Sequence, residues 1–180
     1  MRSNFWKRSF IMDYLKQFSI PYRGMLDGVH EYNFELDDEF FRRFEASPIQ
    51  KAKIEARLLA DKQASLVTVN LTIEGVMQAN CDRCLADIQL PLNGRYQLIL
   101  KRAEGNPDDP DLFYIGSEES EWKVAEVLYE YACLSIPFSK TIDCSNLIPR
   151  PCNMEVLVKI QNEENDSEPN PIWDELRKLK

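Results

Sequence analysis

The sequence predicts an α+β fold, in which an antiparallel β-sheet is covered by two to three packed helices. Two observations lead to this prediction. Apolar and polar residues alternate over most of residues 51–101, which is the period of half-buried strands. Apolar residues between positions 124 and 134 instead recur at the spacing of one helix face. The strands follow one another as a meander, which can stay open or curl into a barrel-like or sandwich-like arrangement.

The chain has 180 residues and a formal net charge of −8. This length suits one domain with a tail, and its core can fold without disulfides. No apolar run approaches the roughly 18 residues of a membrane span, and the N-terminus lacks the apolar region of a signal peptide. We therefore expect a cytoplasmic protein without a membrane partner, whose chain starts at Met1 or Met12. The acidic surface suits a basic protein partner better than nucleic acid phosphates.

Residues 1–28 are predicted to form an N-terminal segment that is partly irregular, because Pro21, Gly24 and Gly28 interrupt its second half. Strict alternation then predicts a strand from His30 to Leu36. Asp37 is the expected N-cap of a short helix that extends to about Ala46, since its carboxylate can accept hydrogen bonds from free backbone N–H groups.

Turn and cap residues divide the middle of the chain. The dipeptide Asn93-Gly94 is typical of a tight turn between two strands of the meander. Beyond an acidic loop, Ser117 or Ser120 is expected to cap a helix that ends before Pro137.

The C-terminal third is predicted to contain a last strand and a linker. Alternation from Met154 to Ile160 predicts the strand, so residues 29–160 would form a single α+β core domain. Residues 161–169 are polar and acidic, which is typical of a linker.

The last segment, residues 170–180, is predicted to be an amphipathic helix. Asn170 as N-cap and Pro171 at the first helical position form a helix start. An isolated helix of this length is unstable, so we expect it to dock on the core or on a partner. The docking face consists of Ile172, Trp173, Leu176 and Leu179.

Four cysteines are candidate metal ligands. Cys81 and Cys84 are separated by two residues, which suits chelation of one tetrahedral ion, and Cys144 and Cys152 could complete a four-thiolate zinc site. The seven residues between Cys144 and Cys152 exceed the usual two to four. Free thiols that support packing or a turn are therefore the alternative, and the expected cofactor is none or one structural zinc.

The residues that could take part in catalysis have simpler structural explanations. A thioredoxin-like site needs its first cysteine at a helix N-terminus, whereas Cys81 follows a predicted strand. His30 stands alone in a strand, where a core or edge position is the simpler explanation. Arg83 is a candidate contact to RNA or to a partner carboxylate, with a surface ion pair as the alternative. We therefore expect no enzymatic activity. The alternative carboxylate partners of Arg83 are Glu74, Asp82 and Asp87.

Several segments together resemble the YceD family. These are the cysteine motif in residues 80–85, the helix exit in residues 127–137, the later pair Cys144 and Cys152, and the tail in residues 170–180. Cys133 departs from the family pattern, because an apolar residue is common there, and this indicates simple packing. The resemblance implies a role in accumulation or maturation of large-subunit ribosomal RNA, with no established catalytic chemistry.

The expected function is thus an accessory factor that binds a basic ribosomal protein or a large-subunit precursor particle. The acidic surface, Arg83 and the C-terminal helix are its candidate contacts, and direct contact with RNA stays open. The alternative from the cysteines is a zinc-ribbon-like module that binds nucleic acid.

Overall fold

The computed structural model describes residues 14–64, 66–102, 111–144 and 146–165, with backbone only for 163–165. Contacts divide the chain into two compact units. Met1–Gln78 and Gln89–Phe138 form the first, here the sheet unit, and Ala79–Ile88 and Ser139–Lys180 form the second, here the cysteine unit. The core domain predicted over residues 29–160 contains parts of both units. The alternative start at Met12 and the C-terminal helix over residues 170–180 lie outside the described residues.

The predicted α+β class is confirmed. The elements are, in order, β1 (Ser19–Pro21), β2 (Gly28–Leu36), α1 (Asp38–Phe41), β3 (Ala52–Gln63), β4 (Leu66–Asn80), β5 (Asp87–Arg102), β6 (Leu112–Ile115), β7 (Glu121–Lys123), α2 (Ala125–Leu134) and α3 (Met154–Asn165). Strands β2 to β6 form one five-stranded sheet in sequence order, which is open and not closed into a barrel. Its last pair, β5 and β6, is parallel, with Ile99 opposite Leu112, so the meander is not antiparallel throughout.

The core of the sheet unit follows from alternation along the strands. From Ile54 to Ala60 in β3 and from Val67 to Ile73 in β4, every second residue is buried and its neighbours face solvent to varying degrees, as a half-buried strand requires. The registers of β2 with β3 and of β3 with β4 keep the two faces aligned, with Leu36 opposite Ile54. The buried residues of these strands and of β5 include Ile54, Leu58, Val69, Leu71, Ile73, Leu90, Leu92, Leu98 and Leu100.

Helices α1 and α2 add aromatic and aliphatic side chains to the core of the sheet unit. The predicted cap of α1 is confirmed, because the Asp37 carboxylate accepts from the Phe40 N–H at 2.9 Å. Helix α1 ends at Phe41, earlier than predicted, and both Phe40 and Phe41 are fully buried. Helix α2 buries Val127, Leu128 and Tyr131 among others, and ends before Pro137 as expected.

The N-terminal segment forms a strand that the sequence did not predict. Strand β1 pairs antiparallel with β7, and Phe18 and Ile20 beside this pairing are buried. Strand β7 also separates Ser120 from α2, so the serine cap predicted for this helix is wrong. Val124 occupies the N-cap position and makes no side-chain cap bond.

The turn predicted at Asn93-Gly94 is wrong, because both residues lie inside β5. Close approach explains this glycine better than turn geometry. A Cβ on Gly94 would meet the Ser135 hydroxyl and would lie 2.6 Å from Cε2 of Tyr96. Ser135 is buried and its hydroxyl donates to the Tyr131 carbonyl, so this neighbour has little room to move.

The strand predicted from Met154 to Ile160 is also wrong, since these residues form the first part of α3. Asn153 precedes the helix, and its side-chain oxygen accepts from the Val156 N–H at 3.4 Å in the manner of an N-cap. The helix continues through residues 161–165, the first part of the predicted linker, and residues 166–169 lie outside the described part of the chain. Among the described residues, no helix has the length and apolar character of a membrane span.

Replacing Gly94 with alanine should destabilise the protein by about 1–3 kcal/mol, the usual cost of forcing extra atoms into a packed site. The added methyl group would collide with Ser135 and Tyr96. Gly24→Ala is the matched control, because a Cβ there meets nothing within 4 Å and its φ is not positive. Urea unfolding midpoints measure both effects. Equal midpoints for the two variants would contradict the packing assigned to Gly94.

Candidate functional site

The first cysteine pair lies in a tight turn between β4 and β5. The Cys81 N–H donates to the Ala86 carbonyl at 2.8 Å, and the Leu85 N–H donates to the Cys81 carbonyl at 2.8 Å. Leu85 has a φ of 59°, in the left-handed region that favours glycine. These bonds close the turn, and they place Cys81 and Cys84 on its buried side with 2% of each residue exposed.

A second segment is held against this turn by reciprocal hydrogen bonds. The Asp82 N–H donates to the Lys140 carbonyl at 3.0 Å, and the Lys140 N–H donates to the Asp82 carboxylate at 2.7 Å. The chain then turns at Cys144, whose carbonyl accepts from the Leu147 N–H at 3.3 Å. Seven residues separate the two later cysteines, and the side chains of Cys144 and Cys152 are hydrogen-bonded to each other.

The four thiols interact with one another. The pKa of Cys84 lies below its ordinary value, first because the backbone N–H groups of Ala86 and Asn153 bond to its sulfur. Hydrogen bonds with the thiols of Cys81 and Cys152 lower it further. The pKa of Cys144 is raised, chiefly by its hydrogen bond with Cys152 and then by burial and the negative charge of the other thiolates.

The four cysteines line one pocket within the cysteine unit, together with the guanidinium-bearing Arg83 and Arg150. The structure therefore brings together all four ligands that the sequence proposed, despite the irregular spacing of the second pair. They are not a preassembled metal site, because no group of three or more His, Cys, Asp or Glu side chains among the described residues is arranged to hold an ion.

The remaining candidates have simpler positions. Cys81 precedes a turn and a strand rather than a helix, so the context that a thioredoxin-like site needs is not present at this motif. Cys133 is half-buried on α2, and burial raises its pKa.

Arg83 is exposed, and Asp82 and Asp87 accept hydrogen bonds from Lys140 and Asn80 respectively. The predicted contacts Ile172, Trp173, Leu176 and Leu179 lie outside the described residues.

The solvent face of the sheet carries a feature that sequence reasoning missed. Glu35 of β2 lies directly opposite Glu55 of β3, and Glu55 lies opposite Glu74 of β4. All three side chains are exposed, and we call them the glutamate row. Like charges directly opposite each other destabilise a sheet. Only the strand register reveals this row, since its members are far apart in the sequence.

Basic residues beside the glutamate row offset part of its charge. Arg57 Nε lies 2.8 Å from Glu31 Oε1, and this bond is the main reason that the pKa of Glu31 is lowered. Arg95 lines the same shallow depression as the row. The four glutamates and two arginines of this depression leave it with an excess of negative charge.

Comparison with known proteins decides the family. The sequence profile described as large ribosomal RNA subunit accumulation protein YceD matches residues 69–180, which is more than half of the chain. The chain belongs to the YceD family. The YceD match contains the whole cysteine unit, and within the sheet unit it contains Glu74 but neither Glu35 nor Glu55. No curated protein and no solved structure matches the chain.

Replacing Leu85 with glycine should leave the stability unchanged or raise it by up to about 1.5 kcal/mol. A non-glycine residue pays roughly 1–2 kcal/mol in the left-handed region, whereas glycine pays about 0.5–1 kcal/mol in lost chain entropy. The Leu85 side chain is 64% exposed, so little burial is lost. Thermal unfolding measures the difference.

Leu147→Gly is the control for this prediction. Leu147 lies in the same unit at a φ that is not positive, so the glycine there should destabilise. A loss of stability in Leu85→Gly as large as that in the control would contradict the strain assigned to the turn.

Proposed function

We propose that this YceD-family chain is a non-enzymatic accessory factor for accumulation of large-subunit ribosomal RNA. It acts in the cytoplasm by binding a basic ribosomal protein or a large-subunit precursor particle. The family match over residues 69–180 is the observation that carries this proposal, because the family's description names accumulation of that RNA subunit.

The charge of the chain supports binding of a basic protein. Thirty acidic and 22 basic residues give a net charge of −8. A negative field of this kind attracts positively charged partners and accelerates their encounter, whereas it repels phosphates. Free ribosomal proteins that bind RNA carry the complementary charge, so this chain suits them better than it suits bare RNA.

The glutamate row is the proposed contact on the sheet unit. Three exposed carboxylates lie next to one another across β2, β3 and β4. The strand register pairs glutamate directly with glutamate, so no residue of opposite charge lies between them. Residues that break a local rule of stability are often those kept for function. Lysine or arginine side chains of a partner would relieve this repulsion. The repulsion that destabilises the free chain would then strengthen binding of the partner.

Depletion of the protein should lower large-subunit ribosomal RNA relative to small-subunit RNA, and the wild-type chain should restore it. The triple variant Glu35→Gln, Glu55→Gln, Glu74→Gln should need about tenfold more protein for the same restoration. Three exposed ion pairs of about 0.5 kcal/mol each correspond to that factor. Quantitative measurement of both ribosomal RNAs at several expression levels tests this.

The matched control is the variant Glu118→Gln, Glu126→Gln, Glu130→Gln, which removes the same charge from exposed residues away from the glutamate row. It should restore the RNA as the wild type does. Normal large-subunit RNA after depletion would refute the proposed function. An equal loss of RNA restoration in both variants would refute the glutamate row as the contact and would indicate a general effect of the net charge.

The variant Glu55→Gln should be more stable than the wild type by up to about 1 kcal/mol, because it removes two like-charged cross-strand contacts at once. The gain should shrink at high salt, since exposed charges are screened. Glu118→Gln, in an exposed loop, should change the stability little. Urea unfolding at low and high salt provides the measurement, and a less stable Glu55→Gln variant would show that the row does not repel.

A further inference from the structure

We infer that Cys81, Cys84, Cys144 and Cys152 bind one zinc ion, which holds the cysteine unit together. The site goes beyond the family description, and it is independent of the function proposed for the sheet face. It is supported by the contacts among the thiols, by the burial of two of them among the described residues of the unit, and by the charges around the pocket.

The thiols form a connected set. Cys84 interacts with Cys81 and with Cys152, and Cys152 in turn interacts with Cys144. Each of the four sulfur atoms therefore has at least one other as a neighbour, and all four face one pocket. Zinc binds four thiolates tetrahedrally with Zn–S bonds of about 2.3 Å. Binding would require the four thiols to rearrange, because those of the described residues are not preassembled around an ion.

The described residues of the cysteine unit bury few apolar side chains. Among its described residues, 79–88, 139–144 and 146–165, the buried apolar side chains are those of Cys81, Cys84 and Ile88. No residue of α3 whose side chain is described is buried. A metal bound to the thiols would add stabilisation at the place where these buried side chains lie.

Charges around the pocket suit a tetrathiolate site. Four thiolates and one Zn²⁺ ion carry a net charge of about −2. Arg83 and Arg150 line the pocket and bring two positive charges towards it. Backbone N–H groups of Ala86 and Asn153 bond to the Cys84 sulfur, which is the kind of outer contact that orients metal ligands.

Thiolate sets of this kind favour zinc over harder cations such as magnesium and calcium. Iron and disulfides use the same residues, so the experiment must distinguish them. Cys133 lies on α2 in the sheet unit, outside the thiol set, and it provides a matched cysteine substitution.

The test is elemental analysis of the purified full-length chain, together with a count of free thiols. We expect about one zinc per chain. Cys84→Ser and Cys152→Ser should each lose most of the metal, whereas Cys133→Ser should retain it. Zinc in the first two variants at the wild-type level, iron in place of zinc, or disulfides among the four cysteines would each overturn the proposal.

A second measurement does not depend on the folding of variants. Wild-type chain is treated with a chelator and then refilled with zinc, and amide hydrogen exchange is followed in both states. Exchange in residues 79–88 and 139–165 should accelerate on removal of zinc and recover on its return, while strands β2 and β3 stay protected. Tetrahedral absorption bands after refilling with cobalt should appear in Cys133→Ser and not in Cys84→Ser. A metal-free chain with unchanged exchange in the cysteine unit would overturn the inference.

Discussion

The sheet unit depends on the register of β2, β3 and β4. Pairing of Leu36 with Ile54, and the matching pairs along the three strands, put one set of side chains in the core and the other in solvent. A shift of one residue would exchange the two faces, so burial of the apolar set fixes the register strongly. The same register aligns Glu35, Glu55 and Glu74. The core therefore also determines the charged surface that is proposed to bind a partner.

The cysteine unit follows a different principle, because among its described residues no strand alternation produces a buried face. Its described part is held by backbone bonds around the turn at Cys81 and by the reciprocal contacts of Asp82 with Lys140. The thiols of Cys81 and Cys84 are buried in this part, at positions that aliphatic side chains usually occupy in a core. The inferred metal would join these two thiols to those of Cys144 and Cys152. The strained conformation of Leu85 is enforced by the backbone bonds that close the turn, since strain persists only where surrounding contacts enforce it.

Sequence patterns predicted the class of the fold, the central strands, the cap at Asp37 and the four cysteines of the pocket. They failed where the decisive contact is distant in sequence. Asn93-Gly94 has the composition of a turn, but close approach of Ser135 requires this glycine inside a strand. Residues 154–160 fit both a strand and a helix, and Asn153 at the N-cap position was the signal that could have distinguished them. The glutamate row cannot be deduced from spacing, because its three members are neighbours only through the strand register.

The central claim is that the chain acts by charge-dependent binding of a basic component of the large ribosomal subunit. Affinity capture of the tagged full-length chain at low and high salt, with mass spectrometry and RNA sequencing of the same eluate, tests it most directly. The account predicts a basic large-subunit protein that remains bound after ribonuclease treatment and is released by salt. An eluate without any large-subunit protein, or one whose recovery depends entirely on intact RNA, would contradict it.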